Sequence, residues 1–119
     1  RAAEAVPVLT RMLKSSGHGI EHQIIWALGE IGDWNAVPAL MRTLRREDPR
    51  MRGLAVRALG KIGNLAPARR LMQLLETDPD DFVRLSAATA LSRLAELHRS
   101  GELSDDEYAA AKARLIGGG

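Results

Sequence analysis

The sequence predicts an all-α chain, an α-solenoid of three helix pairs closed by a C-terminal helical hairpin. Three observations carry that expectation. Short apolar motifs return at a spacing of 31 residues. Clusters of Gly, Pro, Ser and Asp split each unit into two segments of helical period. The aromatic residues are few, only Trp26, Trp34, Phe82 and Tyr108, so Leu, Ala, Ile and Val must fill the core, and small aliphatic side chains suit closely spaced helices.

The repeat is read first, because a missed repeat misreads the whole fold. Ala5-Val6-Pro7-Val8-Leu9 returns as Ala36-Val37-Pro38-Ala39-Leu40. Leu40-Met41 and Leu44 return as Leu71-Met72 and Leu75, with Arg69 where Pro38 would predict a proline. Ala27-Leu28-Gly29-Glu30-Ile31-Gly32 returns as Ala58-Leu59-Gly60-Lys61-Ile62-Gly63, and at a spacing of 32 as Ala90-Leu91-Ser92-Arg93-Leu94. The expected units are about 3–32, 35–63 and 66–95 within a repeat domain of 1–95.

Each unit opens on a helix A, expected near 3–14, 35–46 and 66–76. Proline is tolerated in a first turn because the amide it lacks would be unpaired there, and Val37, Leu40, Met41 and Leu44 fall at helical spacing. Helix B follows near 20–31, 50–62 and 81–99. In the middle unit Met51, Ala55, Ala58, Leu59 and Ile62 form its apolar stripe. Gly32 and Gly63 fit the left-handed position that ends a helix. Gly29 and Gly60 stand inside the last turn, where glycine costs about 1 kcal/mol against Ala. Their recurrence in one register is accounted for by close helix contact, or by early fraying. One helix pair cannot bury its own apolar face, and three stacked pairs are about the minimum.

Met51-Arg52-Gly53-Leu54-Ala55-Val56-Arg57-Ala58-Leu59-Gly60-Lys61-Ile62-Gly63, together with the Ala-Val-Pro openings, resembles the short HEAT-like repeats first noted in phycobilisome lyase subunits. The resemblance covers about 1–95 and implies a protein-binding scaffold. A second resemblance lies in the tail. Leu91-Ser92-Arg93-Leu94-Ala95-Glu96-Leu97-His98-Arg99-Ser100-Gly101-Glu102-Leu103-Ser104-Asp105-Asp106-Glu107-Tyr108, running into Lys112-Ala113-Arg114-Leu115-Ile116, is similar to the bacterial short C-terminal (SHOCT-like) domain, with Tyr108 where that family usually has Phe. It implies a helical hairpin over 91–116 used in assembly or docking. Local chemistry agrees: Gly101 stops one helix, Ser104 with Glu107 makes a capping box for the next, and Leu94, Leu97, Leu103, Tyr108 and Leu115 supply a small core. The last solenoid helix is then shared with the hairpin, which covers the C-terminal end of the stack. The chain reads as finished at that end and as cut at Arg1, leaving the first helix, around Val6, Leu9 and Leu13, exposed as a scar of truncation.

The chain has no Cys, which excludes disulfides and thiolate metal sites. No apolar run approaches the ~20 residues that span a bilayer. A cytoplasmic location is the expectation. The net charge of +2 hides an asymmetry: residues 42–70 carry nine basic and two acidic side chains, and residues 71–119 carry five and nine.

No catalytic constellation, phosphate loop or paired carboxylate is present, so no enzyme activity and no cofactor are expected. Some HEAT-like proteins are iron-dependent hydroxylases with His-Glu pairs opening helix B. His22 matches that register, but its neighbour is Gln23, and Gly53-Leu54 stand there in the middle unit. A chromophore-lyase-like role is the other enzyme alternative. Helix B usually lines the concave side of such a solenoid. Subtracting the core stripe leaves Gln23, Trp26 and Glu30 in the first unit, Leu54, Arg57 and Lys61 in the second, and Ser86, Thr89 and Arg93 in the third. Trp26 beside Arg57 is the most interface-like pair, since both types are enriched in binding hot spots; packing of Trp26 on the next unit is the alternative. Trp34 is expected to cover a helix end. The expected partner is another protein. Nucleic acid is the second possibility, through Arg42, Arg45, Arg46, Arg50, Arg57, Lys61, Arg69 and Arg70. Self-association is the third, the basic middle of one copy meeting Asp78, Asp80, Asp81, Asp105, Asp106 and Glu107 of another.

Overall fold

A computed structural model describes residues 2–15 and 19–100. Every regular element among them is helical: α1 (Val6–Lys14), α2 (Glu21–Ile31), α3 (Val37–Thr43), α4 (Pro49–Ile62), α5 (Ala68–Thr77) and α6 (Asp81–Arg99), with single 3₁₀ turns at Ala2–Ala5 and Trp34–Ala36 leading into α1 and α3. The chain is an α-solenoid.

The helix boundaries follow from local chemistry. Pro7, Pro38 and Pro49 sit in first turns. The Asp48 side chain accepts from the Arg50 amide at 2.9 Å and opens α4. Asp80 accepts from the amides of Phe82 and Val83, at 2.8 and 3.2 Å, and opens α6. Helix α3 stops three residues short of the expected 46 because its end tightens: the amides of Arg45 and Arg46 donate to carbonyls three residues back, as 3₁₀ geometry requires. Helix α5 begins two residues late because the Asn64 side chain accepts from the Ala66 amide at 2.8 Å and holds a turn there. Gly32 and Gly63 end α2 and α4 with φ of 74° and 79°, where a Cβ would be strained.

Helices α2, α4 and α6 stack side by side, with α4 between the other two; α1, α3 and α5 form the outer layer, each packed on its own partner. Two glycines set how closely the inner layer stacks. A Cβ on Gly29 would stand 2.9 Å from Ala58 Cα, and one on Gly60 would stand 2.8 Å from Ala90 Cβ. Their recurrence therefore reflects close helix contact. The inner helices pack more extensively on one another than α1 does on α3. Ile25, Leu28, Leu40, Ala55, Val56, Leu59, Leu71, Val83 and Ala87 are sealed completely between the layers.

Two expectations fail in the outer layer. Val6 and Leu13 are not exposed: both are buried, at 3% and 2%, because α1 lays that face on α2 and α3, and the exposed apolar side chain of α1 is Val8. In α5 the repeat pairs Leu75 with buried Leu44 and Met72 with half-buried Met41, yet Met72 and Leu75 are exposed and Leu74 is buried instead. Helix α5 packs chiefly on α6, and no further described helix covers its other flank.

Candidate partner-binding face

Helices α2, α4 and α6 carry the residues singled out above. Gln23, Trp26 and Glu30 are exposed on α2; Arg57 and Lys61 are exposed and Leu54 half-buried on α4; Thr89 and Arg93 are exposed on α6. The structure brings five of them together. Trp26, Leu54, Arg57 and Lys61, with Ala58 as floor, line a shallow cavity of about 110 Å³ between α2 and α4. Glu30 borders it through Lys61, whose Nζ lies 3.0 Å from Glu30 Oε2 and 6.0 Å from the centre of the Trp26 ring. Gly29 makes this possible: only with no side chain there can α2 lie against Ala58 and set Trp26 beside Leu54 and Arg57.

Trp26 shares its cavity with side chains of the next unit yet remains 59% exposed. Trp34, at 52%, is likewise more open than a side chain covering a helix end. Ser86 is not on this face. It is buried, and it lies 31 residues after the likewise buried Ala55. The spacing of 32 obscured what does continue the face, Leu85. It is 67% exposed on α6 and lies 31 residues after Leu54. Among the described residues, Arg57 and Arg93 have no hydrogen bond or ion pair.

The basic run separates into structural and exposed members. Arg52 was no more than part of a motif in the sequence, yet it makes the most buried ion pair of the described residues. Its Nε and Nη2 donate to Asp78 Oδ2 and Oδ1 at 2.9 and 3.0 Å, and its Nη1 donates to the carbonyls of Arg46 and Glu47. Asp78, counted above as part of an acidic tail, is therefore buried and occupied. Burial pushes its carboxyl up, but the hydrogen bonds from Arg52 and the Asp80 amide, with the charges of Arg52 and Arg84, outweigh that and hold it below the ordinary carboxylate range. Asp80 is committed to its helix cap and Asp81 pairs with Arg84. Asp105, Asp106 and Glu107 lie outside the described residues, as do Leu103, Tyr108 and Leu115 of the expected hairpin. Arg46 donates from Nη2 to the Leu13 carbonyl at 3.0 Å. It lines a second cavity of about 140 Å³ with Lys14 and Arg42 on the α1–α3 side. The exposed cations are thus divided between outer and inner layers.

His22 opens on a third cavity with Glu21, Arg46, Glu47 and Asp48. Among the described residues no group of three or more His, Cys, Asp or Glu side chains is placed to hold a metal ion. No described helix is long and apolar enough to cross a membrane.

A tandem array of helical pairs with a continuous core and an open inner face defines an α-solenoid repeat protein. The chain belongs to the HEAT repeat family, whose model matches residues 6–92. The short C-terminal domain matches residues 89–116. The two matches overlap at 89–92, within α6. No curated protein matches the chain. HEAT repeats generally serve as protein-interaction scaffolds, and both families are typically non-catalytic.

Proposed function

We propose that the chain is a non-catalytic scaffold that holds a partner protein on the α2–α4–α6 face, through Gln23, Trp26, Glu30, Leu54, Arg57, Lys61, Thr89 and Arg93. The observation that carries this is the exposed Trp26 ring sharing one groove with the unengaged Arg57. The Trp26 ring is 59% open to water, and Trp and Arg are among the residue types enriched at the energetic centre of interfaces. The two-layer spread of the other cations disfavours nucleic acid, which calls for one clustered basic footprint.

The same reading takes units of about 3–32, 35–63 and 66–95, with a hairpin at 91–116 that shares α6 and shields the last unit. A cytoplasmic setting belongs to it and rests on the cysteine-free composition. Photo-crosslinking tests the face. A benzophenone side chain replacing Gln23 or Thr89 should trap discrete proteins in cells, and the pair Trp26→Ala with Arg57→Glu should abolish the trapping. Equal trapping from Arg42 and Arg45 on the outer layer, or trapping that survives the pair, would remove this face from consideration.

A further inference from the structure

The charges on the inner face are unbalanced in a way that selects a class of partner. Its apolar side chains are Trp26 and half-buried Leu54, which share one cavity, and Leu85 on α6; Trp26 and Leu85 are the most open large apolar side chains of the described residues, at 59% and 67%. Three cations flank it: Arg57, Lys61 and Arg93. Two carboxylates lie near them and both are engaged: Glu30 with Lys61 at 3.0 Å, and Glu96, one turn beyond Arg93 on α6, with Arg99. Arg57 and Arg93 are left with no hydrogen bond or ion pair among the described residues.

Covering this face with each kind of occupant gives different electrostatics. A basic segment would bring like charge against two guanidinium groups. A neutral apolar segment would strip water from Arg57 and supply nothing in return, an unpaired charge whose burial is strongly unfavourable. An acidic segment with an apolar stripe satisfies both features at once. Arg93 lies one helix away from Arg57 and about one turn further along the register. Packed helices are about 8–10 Å apart and a turn rises about 5.4 Å, so the two groups are roughly 11 Å apart at their backbones, about two turns of a bound helix.

We infer that the α2–α4–α6 face takes an acidic amphipathic helix of another protein, its apolar side chains over Trp26, Leu54 and Leu85 and its carboxylates, about two turns apart, at Arg57 and Arg93. The inference rests on the proposed binding face and names the chemistry of what that face holds. Helix-in-groove docking of this type anchors on residues at positions i, i+3, i+4 and i+7.

The test uses the full chain and four fluorescent probes: a Leu/Glu amphipathic peptide of about 16 residues, its Leu/Lys counterpart, its Ser/Glu counterpart, and oligo-dT, with lengths chosen to span the three inner helices. The Leu/Glu peptide should bind, and the Leu/Lys and Ser/Glu peptides should bind at least about tenfold more weakly, because one removes the charge match and the other the apolar contact. Arg57→Glu with Arg93→Glu should invert the preference toward Leu/Lys. Glu30→Gln should free Lys61 and strengthen Leu/Glu binding about two- to fivefold. No binding of the Leu/Glu peptide overturns the inference. So does tighter binding of oligo-dT through the same two arginines, which would make the anionic partner a nucleic acid. Preference for Leu/Lys that is lost in Trp26→Ala would keep the face and refute the charge argument. Indifference of every probe to Trp26→Ala would refute both.

Discussion

Arg52 on α4 and Asp78 in the α5–α6 loop form a two-pronged ion pair, 2.9 and 3.0 Å, whose side chains are only 13% and 4% exposed. The same guanidinium holds the carbonyls of Arg46 and Glu47. One side chain thereby ties the loop that precedes its own helix to the loop that precedes the next, and locks the second unit to the third.

Removing one partner leaves the other buried and charged. Arg52→Ala should lower unfolding free energy by about 3 kcal/mol, read from urea melts. Arg52→Lys should recover little, because an ammonium cannot reproduce the parallel bonds. Asp78→Ala should cost less than Arg52→Ala, since Arg52 keeps its two carbonyls.

The pair also sets an acid limb. Asp78 is held below the ordinary carboxylate range in the folded chain, so its contribution is fully present above an unfolded pKa of about 3.9 and is lost as pH falls through the lower folded value. The stability gap between the parent and Asp78→Asn should be widest at neutral pH and should shrink toward pH 2. A gap independent of pH would show that the carboxylate charge contributes nothing.

Two buried glycines of α4 should respond differently to a methyl group. In Gly60→Ala the new carbon would meet Ala90 Cβ at 2.8 Å and its Cα at 3.0 Å. Ala90 has no rotamer with which to yield, so the loss should be about 1–3 kcal/mol despite the better helix propensity. Pairing it with Ala90→Gly should recover part of the loss. In Gly53→Ala the obstacle is the half-buried Phe82 ring, which can swing aside, so the loss should be the smaller of the two.

Trp26→Ala and Arg57→Glu remove side chains that face water. Each should change stability by no more than about 0.5 kcal/mol, measured by the same melts. In a Trp34→Phe background Trp26 is the only tryptophan, and its emission should shift to the blue when the Leu/Glu peptide binds.

Much of this fold was legible because a repeat states its rules more than once. Two copies of Gly-x-Ile-Gly marked the left-handed ends and left close helix contact or fraying as the alternatives that the structure decides, and the apolar stripe of the middle unit marked the inner layer. The failures share a physical cause: sequence periodicity carries register but not neighbours. Leu75 has the pattern of Leu44 without a helix to cover it, and Val6 and Leu13 found cover in α2 and α3. The Arg52–Asp78 pair spans 26 positions and repeats nowhere else, so no periodic signal announced it. Leu85 was hidden by a single-residue choice between spacings of 31 and 32. Trp26, Arg57 and Lys61 were legible on one face because all three follow one register on adjacent helices.

The contacts of Gly29 with Ala58 and of Gly60 with Ala90 act as a gauge for the whole inner face. They set the distance between neighbouring inner helices, and hence the width of the trough that separates Trp26 from Arg57 and Arg57 from Thr89. A variant that adds bulk at either buried point would splay the trough without altering any atom a partner touches. The shape of the proposed binding face can thus drift through its hidden spacers while its outward chemistry stays constant.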